Sequence, residues 1–161
     1  MRIAIIENTG SDFFYSRLRL CKFLKKKGYE ITAIVPDDGY TEKIKDSGFK
    51  VLVLEHNIRG KQIKNKLNLF LDFYKIFSKN KFDIIHFFRL QPNLIGTVTA
   101  RLTTKSKIIN HITGLGYVFS KNSFKYKSAQ LILILLYNFN QRLLNAKMVC
   151  QNTDDINDLF L

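Results

Sequence analysis

At 161 residues the chain is long enough for one domain of ordinary size. Its 46% hydrophobic and 13% aromatic content supplies a core, which excludes a disordered tail and a disulfide-stapled miniprotein. The formal net charge of +13 invites an anionic partner, nucleic acid or membrane, although Lys, Asn, Ile and Phe, all with AT-rich codons, fill 64 positions and give part of the lysine excess a genomic origin.

The predicted elements alternate. Residues 2–6 form a short apolar run with β-branched side chains, closed by Asn8-Thr9-Gly10-Ser11, which reads as a strand and a turn. Residues 13–27 follow, with Phe14, Leu18, Cys21 and Leu24 on one helical face and Gly28 at the position that ends a helix. A second strand over 30–35 stops at Pro36-Asp37-Asp38-Gly39. A short helix over 40–47, N-capped by Thr41, precedes a third strand over 49–54. A basic connection over 56–66 leads into a helix ending near Asn80, with Leu67, Phe70, Leu71, Tyr74 and Phe77 as its apolar stripe. The run 82–88 has almost no polar break, as a strand covered on both faces requires. Pro92 fits the first turn of the next helix, which runs to about Thr103. A fifth strand over 107–112, a long helix over 124–145, a sixth strand over 147–150 and a helix over 154–161 complete the chain. This order predicts one α/β domain, a parallel sheet of about six strands with helices on both faces.

Charge is unevenly placed. Residues 84–153 hold no Asp or Glu against nine Lys or Arg. That stretch reads either as codon bias or as a surface that faces anions. The start lacks the apolar core of a signal peptide, and the most apolar run, 131–136, is far short of the roughly 20 residues needed to span a membrane. Cys21 and Cys150 fit no metal spacing and read as reduced thiols; no paired His/Cys metal set is present.

Ligands of such sheets sit beyond the carboxyl ends of the strands. The first loop there is Asn8-Thr9-Gly10-Ser11-Asp12. It opens a helix whose first amides favour an anion, or else Ser11 or Asp12 only caps that helix. It is neither G-x-G-x-x-G nor a P-loop, which disfavours a single-domain binder of another nucleotide. Arg17 follows on the same helix, and Arg89 ends the fourth strand beside His86, which reads as a core residue. In the fifth loop His111 and Thr113 lie two apart on an extended chain and share a face, next to Gly114 and Gly116, which permit close backbone approach. Loop carboxylates near strand ends are limited to Glu7, Asp12, Asp37 and Asp38, so an acid/base pair is not expected.

The order and spacing of RIAIIENTGSDFFYSRLRLCKFLKKKGYEITAIVP, KFDIIHFFRLQPNLIGTVTAR, INHITGLGYVF and MVCQNTDDINDLF resemble the N-terminal domain of family 4 glycosyltransferases, across essentially the whole chain. The resemblance implies a Rossmann-like half of the two-domain GT-B architecture, with residues 1–161 as the acceptor-binding domain and the donor-binding domain outside these residues. It implies retaining transfer of a sugar from a nucleotide-sugar donor, without a carboxylate nucleophile, to a lipid-diphosphate-linked acceptor, in capsule, O-antigen or protein glycosylation. It implies no cofactor. The loop from Asn8 to Asp12 would lie near donor phosphate and acceptor. Many relatives place a histidine directly before a glycine after the fifth strand. Here Thr113 holds that position, so either Thr113 serves with its hydroxyl or His111 covers a related role. Without a donor domain, or a separate donor-domain chain, these residues alone are expected not to transfer sugar.

Location is expected to be cytoplasmic, peripheral on the inner face of the plasma membrane. Polybasic surfaces gain roughly 1 kcal/mol per Lys or Arg at an anionic bilayer. Lys121, Lys125 and Lys127 are the candidate membrane-facing residues, and the apolar run 131–136 that follows them either docks at the interface with them or belongs to the helix–sheet core or a partner-domain face. The competing reading is a basic nucleic-acid-binding α/β module. It rests on charge alone and lacks a recognition motif.

Overall fold

The computed structural model describes residues 1–56, 63–115, 118–119 and 123–160. The strands are β1 (Arg2–Ile6), β2 (Glu30–Pro36), β3 (Lys50–Leu54), β4 (Ile84–Phe88), β5 (Lys107–Ile112) and β6 (Lys147–Cys150). All neighbours pair in parallel, in the order β3-β2-β1-β4-β5-β6. That is the doubly wound order, which reverses direction between β1 and β4 and opens a crevice there.

Alternation along β1 sets the layers. Ile3 and Ile5 point to one side, into a core with Phe13, Cys21, Ile31, Ala33, Val35, Ile44 and Phe88. Helices α1 (Gly10–Ser16), α2 (Leu18–Lys26) and α3 (Thr41–Asp46) supply that side. Ala4 and Ile6 point the other way, into a core with Leu69, Phe73, Phe77, Ile85, Phe87 and Ala100, covered by α4 (Ile63–Lys79) and α5 (Thr97–Thr103). Gly96 lies against the Phe87 ring, and a Cβ there would overlap it. The far edge is closed by α6 (Phe124–Arg142) and α7 (Thr153–Phe160), around Ile112, Tyr137 and Leu159. Arg101 ties α5 to that edge: its guanidinium donates to the carbonyls of Ser106, Leu144 and Asn145.

Five expectations need correction. The helix expected over 13–27 starts at Gly10 and breaks at Arg17, whose φ of −111° and ψ of −19° separate α1 from α2. Its cap is neither Ser11 nor Asp12: Thr9 accepts from the Asp12 amide at 3.0 Å. Thr41 is not the cap of α3 but its first residue, and its hydroxyl donates to Asp37 Oδ1 at 2.8 Å. Pro92 does begin a helical segment, but Pro92–Gly96 is one π-helical turn before α5.

The last correction concerns α6. Leu131, Ile132, Leu135 and Leu136 are exposed, so most of the run 131–136 lies outside the helix–sheet core, which leaves a partner-domain or interface role for it. The inward face carries Tyr137 and Asn140 instead. Asn140 Nδ2 donates to the Asn93 carbonyl, and Asn138 Nδ2 to the Leu159 carbonyl, each at 3.0 Å. Tyr137 and Ile134 supply the apolar part of the inward side, and the two asparagines add hydrogen bonds beside them. No described helix is long and apolar enough to cross a membrane.

Candidate functional site

The crevice between β1 and β4 is organised by one carboxylate. Glu7 follows β1 directly and is fully buried. A carboxylate taken out of water needs charge partners, and it has two: Arg17 Nε at 3.2 Å and Arg89 Nε at 2.8 Å. The break at Arg17 turns its side chain towards Glu7. Arg89, one residue past β4, adopts φ of +74°, in the left-handed region that non-glycine residues avoid. Its side chain is 38% exposed, and its Nη2 lies 3.8 Å from Asp12 Oδ2.

A stack continues the network across the sheet. The Arg17 guanidinium sits 4.0 Å over the Phe88 ring. Phe88 in turn stacks on His111, with centroids 4.1 Å apart and planes 10° from parallel. Register explains the contact, since Phe88 and His111 are partners in the β4–β5 ladder. His111 Nε2 is 2.8 Å from His86 Nδ1. Burial pushes His86 down to about 4. Burial, with the neighbouring His86 and the Arg17 cation, pushes His111 down to about 3. Both rings are therefore neutral near pH 7. One must donate and the other accept, which fixes their tautomers in opposite senses.

The first loop folds tightly beside this network. The amides of Asp12 and Phe13 are taken by Thr9. The Ser11 amide donates to Asp38 Oδ2 at 3.1 Å, so a carboxylate of the chain already occupies the place expected for an external anion. Gly10 is pressed against Asp38 and Tyr40, with no room for a Cβ. Asn8 Oδ1 is buried and accepts no hydrogen bond among the described residues. Thr9 and Ser11 also line a neighbouring cleft of about 470 Å3, shared with Asp37, Asp38, Glu55 and His56 at the ends of β2 and β3. The Thr41 hydroxyl and Gly39 amide hold the Asp37 carboxyl below its ordinary range.

The structure thus brings Asp12, Arg17, Arg89 and His111 into one network and leaves Asn8, Thr9, Gly10 and Ser11 at its rim. Thr113 is half-buried one residue beyond β5, and Gly114 has φ of +117°. Gly116 and Lys121 lie outside the described residues. Lys125 and Lys127 are exposed on α6, on a different element from the crevice. Sequence reasoning missed Glu7 as the anchor of two arginines and His86 as the partner of His111. A glutamate one residue past an apolar strand was the available signal for Glu7. No group of three or more His, Cys, Asp or Glu among the described residues could hold a metal ion.

What this arrangement offers a ligand is the part-exposed Arg89 guanidinium and a neutral imidazole, since Arg17 is nearly buried against Glu7 and Asp12 stands 3.8 Å from Arg89. The chain is 26% identical over 140 residues to a Campylobacter jejuni N,N'-diacetylbacillosaminyl-diphospho-undecaprenol alpha-1,3-N-acetylgalactosaminyltransferase, covering 87% of this chain and 37% of that protein. It is 21% identical over 134 residues to an Escherichia coli UDP-Gal:alpha-D-GlcNAc-diphosphoundecaprenol alpha-1,3-galactosyltransferase, covering 83% and 33%. It therefore spans about a third of these relatives' lengths. A solved glycosyltransferase from Rickettsia africae shares the fold with a TM-score of 0.57 at 14% identity, over 92% of this chain and 42% of that one. The sheet is one Rossmann-like half of the GT-B architecture. The model of the family described as "glycosyl transferase 4-like" matches residues 2–152, and the chain belongs to that family.

Proposed function

We propose that residues 1–161 form the acceptor-binding domain of a retaining glycosyltransferase. The reaction is transfer of a hexosyl or N-acetylhexosaminyl group from a nucleotide-sugar to a lipid-diphosphate-linked sugar. The observation that carries this reading is the crevice at the β1/β4 reversal, where Glu7 fixes Arg17 and Arg89 beside His111. Two relatives whose names specify undecaprenol-diphosphate-linked sugars match most of this chain, which supports the same acceptor class. Guanidinium groups suit a diphosphate because their planar donors match its oxygens. His111, or Thr113 beyond it, takes an acceptor or donor hydroxyl. In this reading the domain sits on the inner face of the plasma membrane, drawn there by the carboxylate-free stretch 84–153, and serves capsule, O-antigen or protein glycosylation. Donor recognition belongs to a second domain, so this domain alone does not turn over.

The test is binding of a polyprenyl-diphosphate-linked N-acetylhexosamine to the 161-residue chain in detergent. Wild-type protein binds it without donor, and Arg89→Ala weakens binding at least about tenfold, the loss of one charge-assisted contact. Equal binding by Arg89→Ala, or measurable sugar transfer by these residues alone, would count against the proposal. A salt-sensitive gel shift with nucleic acid and no lipid-diphosphate binding would favour the competing module.

A further inference from the structure

The amino ends of the strands, at the far end of the sheet from the crevice, carry charge that neither the core nor the proposed transfer uses. Strands β1, β3, β5 and β6 open on Arg2, Lys50, Lys107 and Lys147, and Lys81 stands three residues before β4. Only β2 opens on an acid, Glu30. Parallel pairing gathers these starts at one end of the sheet. A strand end that must only stay in water needs polar side chains, of either sign. At the carboxyl ends both signs occur and pair, as Glu7 and Asp12 do with Arg17 and Arg89.

The surface at the amino ends is hollow. Arg2, Lys81, Lys105 and Lys107 line a cavity of about 590 Å3. A second of about 390 Å3 adjoins it, shares Arg2, Asn80, Lys81 and Phe82 with it, and adds Lys50 and Lys79. Both volumes suit a small ligand. Arg2, Lys50, Lys81, Lys105 and Lys107 are exposed, and none makes an ion pair among the described residues. Of the two acids in the lining, Asp83 already accepts from the Arg2 amide at 2.6 Å, which leaves Glu30 against six cations. Half-buried Phe82 lines both cavities and gives them a shared apolar wall. The frame beneath is fixed: the Lys107 amide donates to the Asp83 carbonyl, the Ser106 hydroxyl to the Phe82 carbonyl, and Arg101 to the Ser106 carbonyl. Cations converging on a concavity answer a ligand that packs several negative charges into a small volume. Reading a nucleic-acid groove takes a projecting helix or ribbon instead. We infer that these cavities are a second ligand site, for the di- or triphosphate of a small molecule: inorganic polyphosphate or the phosphate tail of a nucleotide. The site shares no residue with the crevice and stands independently of the function proposed above.

Amide NMR titration of the isotope-labelled 161-residue chain with inorganic tripolyphosphate tests this, because it reads each site separately. The signals of Arg2, Lys81, Asp83 and Lys107 shift together and saturate, and they do so in Arg89→Ala as well. Lys81→Gln/Lys107→Gln weakens the affinity at least about tenfold with an unchanged melting temperature. Lys22→Gln/Lys26→Gln removes the same charge from exposed positions on α2 and changes the affinity less than about twofold. Equal weakening by the two pairs would reduce the effect to net charge and overturn the site. Shifts confined to residues 7–12, or no saturation by about 10 mM ligand, would overturn it too. Adenosine and uridine triphosphates then assign the source. Tighter binding than tripolyphosphate marks a nucleotide whose base uses the Phe82 wall, and equal or weaker binding marks inorganic polyphosphate; either result upholds the site. A single-stranded oligonucleotide that displaces tripolyphosphate from these residues and binds more tightly would overturn the small-molecule assignment in favour of nucleic acid. Acceptor binding is read through Arg89, so its failure is distinguishable from a failure here.

Discussion

The β1–β4 crevice and the outward face of α6 handle polarity in opposite ways. In the crevice a fully buried carboxylate is matched by two guanidinium groups, one of them stacked on an aromatic ring that packs on a histidine. On α6 Leu131, Ile132, Leu135, Leu136 and Phe139 face outward, while Tyr137 and Asn140 face in. The charges of the crevice are paired with one another, so disturbing them costs folding free energy. The outward side chains of α6 are exposed among the described residues, so disturbing them costs little stability.

The sharpest way to break the comparison is Glu7→Ala. It strands two arginines beside a vacated buried position, and urea unfolding should show a loss of about 3–5 kcal/mol. A loss no larger than that of a surface substitution would mean that the crevice is not internally balanced. Next is pH. Both imidazoles have folded values below the ordinary 6.5, about 4 for His86 and about 3 for His111. Between pH 7 and 5 the unfolded chain takes up protons that the folded chain refuses, so stability falls as pH falls. The drop from this source should be about 3–4 kcal/mol, because both folded values lie below this window and the unfolded value of each imidazole lies within it. His86→Gln/His111→Gln should flatten that slope whatever it does to the stability at pH 7.

Gly96→Ala places a methyl against the Phe87 ring, with an expected loss of about 1–3 kcal/mol by thermal denaturation. Thr9→Ala removes the cap of α1 and should cost about 1 kcal/mol. At the bottom of the series, Leu135→Ser on the open face should change stability by less than about 0.5 kcal/mol. A larger cost there would erase the distinction between the two regions.

The strands were legible because burial on both faces leaves an unmistakable mark: residues 2–6 and 82–88 are nearly continuous in apolar side chains. The helix stop at Gly28 was legible because left-handed backbone favours glycine there. The sheet order was not written in any segment, and with it went the contacts that depend on register. His86 and His111 are ordinary strand residues until β4 and β5 pair. The break at Arg17 is a tertiary effect, since local propensity favours an unbroken helix and the pull of Glu7 overrides it. The polarity of α6 was hidden for a different reason. A leucine-rich helix fits a core or an open face equally well, and Asn138 and Asn140 decide the matter only after their carbonyl partners are in place.

Arg89 carries a consequence for how this domain can be improved or can drift. Its backbone sits where glycine or asparagine would be at ease, at a cost on the order of 1 kcal/mol for arginine. A screen for thermal tolerance would therefore reward glycine at position 89, provided Glu7 were neutralised in the same clone, and would discard one of the two cations in the crevice. Position 89 is where selection for robustness and selection for ligand capture pull on the sequence in opposite directions.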